Sequence, residues 1–247
     1  MKVIILAAGE GKRLQPLTNN LPKCMVELNG KPILYHQIEC LRRNGIIDIN
    51  VCVGYARNKI NCDSVKYYYN PEFSKTNMVY TLFCAKELLN SDDDILISYG
   101  DIVYNDKVLN TIVNDKSKIG VVVDRNWFDY WSERMENPLD DAETLKIDEQ
   151  GYIYELGKKP TSYDEIEGQY VGLIKFRAGI ISSITNLYET LDKNLIYDGK
   201  DFNNMYMTTF LQLISDNITP LNPVFIINGW IEIDTPSDLL LTKYLKI

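Results

Sequence analysis

Val3-Ile4-Ile5-Leu6-Ala7-Ala8-Gly9-Glu10-Gly11-Lys12-Arg13-Leu14 lies at the start of the chain, with Pro22-Lys23 and Gly30-Lys31-Pro32 close behind it. The apolar run from Val3 to Leu6 predicts a strand buried on both faces. It breaks into a turn whose Gly9 and Gly11 carry no Cβ, so the backbone bends sharply and comes close to a ligand. Backbone N–H groups in such a turn cradle phosphate oxygens, and Lys12, Arg13 and Lys23 add positive charge. The pattern predicts an α/β fold with a nucleoside triphosphate site after its first strand.

Two common phosphate loops are excluded by the letters. A G-x-x-x-x-G-K-[ST] loop needs a hydroxyl after its lysine, and here Gly11-Lys12 is followed by Arg13. A G-x-G-x-x-G dinucleotide turn needs a third glycine where Leu14 stands. The composition narrows the chemistry further. A 247-residue chain with 45% hydrophobic residues is long enough for one packed domain, 1–247, and is not disordered. A net charge of -8 argues against nucleic-acid and anionic-membrane partners. No apolar run approaches the roughly 20 residues that span a bilayer, and the N-terminus lacks the cleavage site of a signal peptide. The five cysteines lack CxxC spacing, which predicts reduced thiols and a cytoplasmic protein. With His36 as the only histidine, the chemistry falls to carboxylates, lysines, arginines and a metal.

Periodicity along the chain supports a Rossmann-like three-layer sandwich with a mainly parallel mixed sheet. Helices are expected over 33–44, 77–89, 182–191 and 205–214, with a closing helix over 237–245 capped by Ser237. Strands are expected over 46–53, within 59–69, and over 95–99, 119–124, 152–154, 170–176 and 224–227. The segment 127–143 reads as irregular, and about 124–176 as a lid subregion. Ligands should sit beyond the carboxyl ends of the parallel strands. Gly100-Asp101 ends one of them, and Trp230-Ile231-Glu232-Ile233-Asp234 supplies further carboxylates. Asp238 reads as part of the cap and first turn of the closing helix.

The stretch L-A-A-G-x-G-x-R-L-x-P-L-T, with P-K and G-K-P downstream, resembles the signature of the sugar-nucleotide pyrophosphorylase-like nucleotidyltransferases. The pieces G-D and W-x-[E/D]-I-D-T-x-x-D-L recur in the same order in that family. The resemblance implies nucleotide contacts from Leu6, Ala7, Ala8, Gly9, Glu10, Gly11, Lys12, Ser98 and Gly100. It also implies a Mg²⁺ held by Asp101 and Asp234, with Glu232 as an additional or water-mediated ligand, and phosphate stabilisation by Arg13 and Lys23. Asn70-Pro71 through Thr76-Asn77 to Leu82 is similar to N-P-x-[YF]-x-x-T-N-x-x-x-S-L of the small-acceptor cytidylyltransferase branch. The Q-x-x-G-T-A-x-A of sugar pyrophosphorylases is missing. Thr76 and Asn77 either bind the base or phosphates, or simply cap a helix. CTP as the donor is implied by the branch, not by a hydrogen-bond pattern.

For the acceptor, Asp124 to Glu143 resembles the D-x-x-W-x-x-x-[WY]-x-x-R…P-x-x-D-A-E segment of that branch. Trp127 and Trp131 beside Asp141 and Glu143 suit an ammonium group, or else the tryptophans anchor the lid. Arg134 either pairs with Glu143 or Asp141, or contacts an anionic group of the acceptor. Either Lys158 or Lys159 occupies the place of the family's acceptor-phosphate lysine. Tyr170-Val171-Gly172 matches a strand whose glycine permits close approach of the acceptor. The expected reaction joins CTP and a small phospho-acceptor, releasing pyrophosphate. Glutamine phosphate, the acceptor of capsular phosphoramidate synthesis, is favoured over phosphocholine and 2-aminoethylphosphonate. A sugar-1-phosphate nucleotidyltransferase using dTTP or UTP is the second enzyme reading, and a regulatory nucleotide-binding module the third.

Overall fold

In the computed structural model, residues 1–90 and 92–245 are described. The strands of three or more residues are, in chain order, β1 (Lys2–Ala7), β2 (Ile49–Val53), β3 (Lys66–Tyr69), β4 (Ile95–Tyr99), β5 (Ile102–Tyr104) and β6 (Ile119–Asp124). They continue as β7 (Leu145–Ile147), β8 (Ile153–Leu156), β9 (Gln169–Phe176), β10 (Asn222–Ile226) and β11 (Trp230–Glu232). The helices are α1 (Ile33–Arg43), α2 (Met78–Phe83), α3 (Asp106–Asn114), α4 (Trp127–Arg134), α5 (Ala178–Thr190) and α6 (Met207–Asn217).

Seven strands make one sheet in the order β10-β6-β9-β4-β1-β2-β3. All its pairs are parallel except those of β9, which runs antiparallel to both β4 and β6. The fold is therefore the mainly parallel, Rossmann-like sandwich that the sequence predicts. β1 shows why its apolar run has no polar positions. Val3, Ile5 and Ala7 enter the core on one face with α1, α3 and α4; Ile4 and Leu6 enter the other with α2, α5 and α6. A strand covered on both sides needs apolar residues on both sides of its pleat.

Several elements differ from the sequence reading. Residues 127–143 are not irregular throughout: α4 occupies the first half, with Trp127, Tyr130 and Trp131 facing inward. Helix α3, capped by Asn105 Oδ1 accepting the Val108 N–H (3.0 Å), was not anticipated. The helix expected over 77–89 stops at Phe83 and tightens into a 3₁₀ turn at Lys86–Asn90 that buries Leu88 and Leu89. The closing helix is instead two 3₁₀ turns, Pro236–Leu240 and Thr242–Leu245. Its cap is Thr235, not Ser237, because Thr235 and Asp238 form a capping box around Pro236. Of the segment 124–176, the last eight residues are β9, hydrogen-bonded between β4 and β6 in the sheet.

Outside the sheet, β5 and β11 pair antiparallel, setting Glu232 opposite Ile102. β7 and β8 form a second small ribbon. All five cysteines are free. Among the described residues, no helix is long and apolar enough to cross a membrane.

Candidate active site

The turn after β1 forms one wall of a cavity of about 400 Å³. Leu6, Ala7, Gly9, Glu10, Gly11, Lys12 and Arg13 line it, facing Phe73, Ser74, Asn77 and Met78, with Lys23, Gly100, Asp101 and Asp234 at the inner end. Gly11 is fixed by geometry. Its φ is +68°, and a Cβ there would lie 2.8 Å from the Cβ of Lys23. The glycine therefore lets the loop close onto the Lys23 stem.

Three predicted nucleotide contacts do not line this cavity. Ala8 is buried, and its carbonyl accepts the Tyr55 N–H (3.0 Å). Ser98 is fully buried, its hydroxyl donating to Gln37 Oε1 (2.8 Å). The Thr76 hydroxyl donates to Glu72 O (2.9 Å) and accepts from Asn70 Nδ2 (3.0 Å), so it is spent within its own loop. Asn77 does face the cavity while also capping α2, its Oδ1 accepting the Met78 N–H (2.8 Å).

Two separate strand ends bring the carboxylates together. Gly100 donates its N–H to Leu6 O (2.9 Å), docking the β4–β5 turn beside β1, while Ile233 donates to Asp101 O (3.0 Å). Carboxylate oxygens of Asp101, Glu232 and Asp234 lie within 4.8 Å of one another. Lys23 Nζ donates to Asp101 Oδ2 (2.6 Å) and to Asp234 Oδ1. Arg13 Nη2 reaches Asp234 Oδ2 at 2.8 Å and Nη1 reaches Asp141 Oδ1 at 3.7 Å.

Charge in this cluster is uneven. Burial, reinforced by the Asp234 charge, pushes Glu232 up to about 8. Burial acts on Asp234 in the same direction, but Lys23, Arg13 and Arg134 outweigh it and hold that carboxyl below its usual range. Lys23 is held above the ordinary lysine range: burial opposes its charge, and Asp101, Asp234 and Glu232 together overcome it. Asp101 Oδ1 is buried and has no hydrogen-bond partner among the described residues. An all-oxygen carboxylate set with an unused buried acceptor fits a hard divalent cation.

A second cavity, of about 260 Å³, meets the first at Arg13, Met78 and Asp234. Its walls include Tyr99, Trp131, Tyr170, Gly172, Tyr206 and Trp230, and its acids are Asp141, Glu143, Glu232 and Asp234. Gln169 holds the Glu143 backbone from both sides, accepting its N–H (3.2 Å) and donating to its carbonyl (2.7 Å). The Glu143 carboxylate is left to the cavity, where burial and then the Asp141 charge raise it to about 7. Trp131 Nε1 is buried with no hydrogen-bond partner among the described residues. Gly172 (φ +80°) lines the cavity, but the space of its missing Cβ belongs to the Tyr99 ring, 2.7 Å away.

The remaining acceptor-side residues are placed differently. Trp127 is buried against Phe128, Trp131 and Tyr163 and does not line the cavity. Lys159 donates to the carbonyls of Leu139 and Asp140 (2.6 Å to the latter), bracing the turn after α4 from outside. Arg134 is wholly buried and does not line the cavity; it bonds Glu232 and Asp238, and Asp141, one of the two acids expected to pair with it, lies 3.9 Å from its Nη1. Asp238 also accepts the N–H groups of Asp234 (2.9 Å) and Thr235 (2.7 Å), the capping role read from sequence.

Gln37 was missed. Buried on α1, it donates to Tyr99 O (2.9 Å) and Ile102 O (2.7 Å), pinning the turn that carries Asp101. Its only sequence signal is a polar residue on the apolar face of a helix. Asp124 is a second clasp: it accepts the Trp230 indole N–H (2.8 Å) and the N–H groups of Asn126 and Asn228, joining the end of β6 to β11.

A phosphate-type loop after β1, facing carboxylates from two later strand ends in a mainly parallel sheet, defines a nucleotidyl-transfer enzyme. The model of the family described as nucleotidyl transferase matches residues 2–209, and the chain belongs to that family. It is 46% identical to the CTP:phosphoglutamine cytidylyltransferase of Campylobacter jejuni subsp. jejuni serotype O:2, over 97% of this chain and 98% of that protein. It is also 43% identical to the choline-phosphate cytidylyltransferase of Streptococcus pneumoniae, over 36% of this chain and 41% of that one. Among solved structures, the inositol-1-phosphate CTP transferase from T. maritima aligns with a TM-score of 0.75 at 20% identity, covering 99% of this chain and 93% of that chain. The CTP:phosphocholine cytidylyltransferase from Streptococcus pneumoniae aligns at 0.68 and 23% identity, covering 99% of each. Both structures share the fold.

Proposed function

We propose that this enzyme transfers CMP from CTP to a small phosphorylated acceptor carrying an ammonium group, with a glutamine phosphate as the favoured acceptor, and releases pyrophosphate. One observation carries the reading: the two cavities meet at Arg13 and Asp234, cationic on one side, acidic and aromatic on the other. The near full-length similarity to a CTP:phosphoglutamine cytidylyltransferase supports the choice of donor and acceptor. The cytoplasm is the proposed location, and cell-surface polysaccharide the proposed destination of the CDP-linked product.

In this reading the loop amides from Gly9 to Arg13 hold the triphosphate, and Asn77 and the neighbouring wall bound the nucleoside. Residues 125–168 form the acceptor-side lid. Glu143 and Asp141, with the faces of Trp131, Tyr99 and Tyr170, take the acceptor's ammonium group. The acceptor's phosphate oxygen forms a bond to the α-phosphorus as the bond to the bridging oxygen of the leaving pyrophosphate breaks. No general base is required, because a phosphate monoester with a second pKa of about 6 is largely ionised at neutral pH. Arg13 and Lys23 stabilise the negative charge that shifts toward the leaving group. Asp101 and Asp234, with Glu232, would hold a Mg²⁺, which when bound neutralises phosphate charge at the reacting phosphorus.

The test is pyrophosphate release in a matrix of CTP, UTP and dTTP against glutamine phosphate, phosphocholine, 2-aminoethylphosphonate and a sugar 1-phosphate. Release is expected with CTP and an ammonium-bearing acceptor. Release confined to UTP or dTTP with the sugar phosphate would overturn the proposal.

A further inference from the structure

Arg134 closes α4, and its side chain is 0% exposed. Burying a guanidinium is unfavourable unless it is paired, so a residue needed only for packing would be apolar here. Asp141 Oδ2 lies 3.9 Å from Nη1, and the hydrogen-bond partners of Arg134 lie about a hundred positions away in sequence. Nη1 donates to Glu232 Oε2 (2.9 Å) and Nε to Asp238 Oδ1 (3.1 Å). Nη2 is buried with no hydrogen-bond partner among the described residues, 3.6 Å from Asp234 Oδ2. The cation also lies 5.0 Å from the Trp131 ring centroid and 5.3 Å from that of Tyr130, on its own helix. Asp238 is itself anchored by backbone N–H groups on either side of the Asp234–Thr235 peptide. The planar fork thus connects α4 to Glu232 directly and, through Asp238, to the backbone of Asp234, and its spare donor points at the Asp234 carboxylate.

We infer that Arg134 is a positioning residue for the metal carboxylates, touching neither nucleotide nor acceptor. It fixes Glu232 and Asp234 relative to Asp101, and it couples the seating of α4 to the geometry of the cation site. A lysine cannot reproduce this, because one ammonium cannot present separate coplanar nitrogens to Glu232 and Asp238. The inference rests on the reading of Asp101, Glu232 and Asp234 as cation ligands.

The experiment titrates Mn²⁺ into enzyme bound to a non-hydrolysable CTP analogue, read by electron paramagnetic resonance without acceptor or turnover. Wild type, Arg134→Lys and Asp238→Asn are compared. Residues that orient metal ligands typically weigh about 10–100-fold on metal affinity, and Arg134→Lys is expected to lose that much. Its affinity for the analogue in EDTA and its acceptor KM should stay at wild-type values. Asp238→Asn, which leaves the guanidinium its Glu232 bond, should shift Mn²⁺ affinity less and in the same direction. Unchanged Mn²⁺ affinity in Arg134→Lys, or a rise in acceptor KM alone, overturns the assignment. If Arg134→Lys does not fold, unchanged affinity in Asp238→Asn overturns it equally. Failure of the wild type to bind Mn²⁺ would instead overturn the reading of the carboxylates themselves.

Discussion

At the scale of single residues the site is a problem of charge placement. Among the described residues, Lys23 is the one ammonium that reaches two of the clustered carboxylates, and the loop packs on its stem at Gly11. A fixed cation acting on developing phosphate charge is typically worth about 10²–10³-fold in kcat. Lys23→Ala is expected to lose that much turnover while retaining the fold, measured by steady-state kinetics beside circular dichroism. Glu143 supplies a pH prediction. Its carboxyl is raised from 4.5 to about 7, first by burial and then by Asp141. The folded state therefore keeps a proton that the unfolded chain releases, so the stability contribution is complete below about 4.5 and is lost as pH rises through about 7. Wild-type unfolding free energy should fall by about 3 kcal/mol across that window from this group. Glu143→Gln should flatten that fall, as read by urea denaturation at a series of pH values. An equal slope in the variant would remove Glu143 as its source.

At the scale of elements, the antiparallel strand β9 carries Tyr170 and Gly172 to the second cavity, the proposed acceptor site. Gly172 combines a φ of +80° with a Tyr99 ring filling its Cβ position. Gly172→Ala should therefore cost about 1–3 kcal/mol of stability and disturb acceptor binding through Tyr99. A melting temperature and acceptor KM equal to wild type would contradict this. By contrast, Asn105→Ala removes the α3 cap at a residue that lines neither cavity and should cost about 1 kcal/mol with unchanged kinetics. These elements also mark how far the sequence can be read. β1, β4 and β6 contain the apolar runs Val3–Ala7, Ile95–Ile97 and Val121–Val123, legible because strands covered on both faces have no polar alternation. The spacing of Trp127, Tyr130, Trp131 and Arg134 does carry the helical period of α4, but the density of aromatics and acids around it obscured that period. The 3₁₀ turns after Thr235 were not legible, because the Asp238 carboxylate that organises them also answers to Arg134, 104 positions away.

At the scale of the whole molecule, a site depends on loops that only the sheet order brings together. The β1 loop and the Asp101 turn are neighbours because β4 pairs with β1. Asp234 joins them because β11 pairs with β5. The motifs were readable because they are local; their partners were not. Gln37 and Asp124 act on turns 62 to 106 positions away, and nothing adjacent in the chain indicates it. For Arg134 the nearby acid Asp141 was readable and lies 3.9 Å away, while its hydrogen-bond partners Glu232 and Asp238, about a hundred positions distant, were not. The central claim concerns the atom that moves. CTP labelled at the α-phosphorus should pass its label to the ammonium-bearing acceptor as a CDP-linked product, with γ-label recovered wholly in pyrophosphate. α-Label recovered only as free CMP, or transferred only from UTP or dTTP to a sugar phosphate, would contradict it.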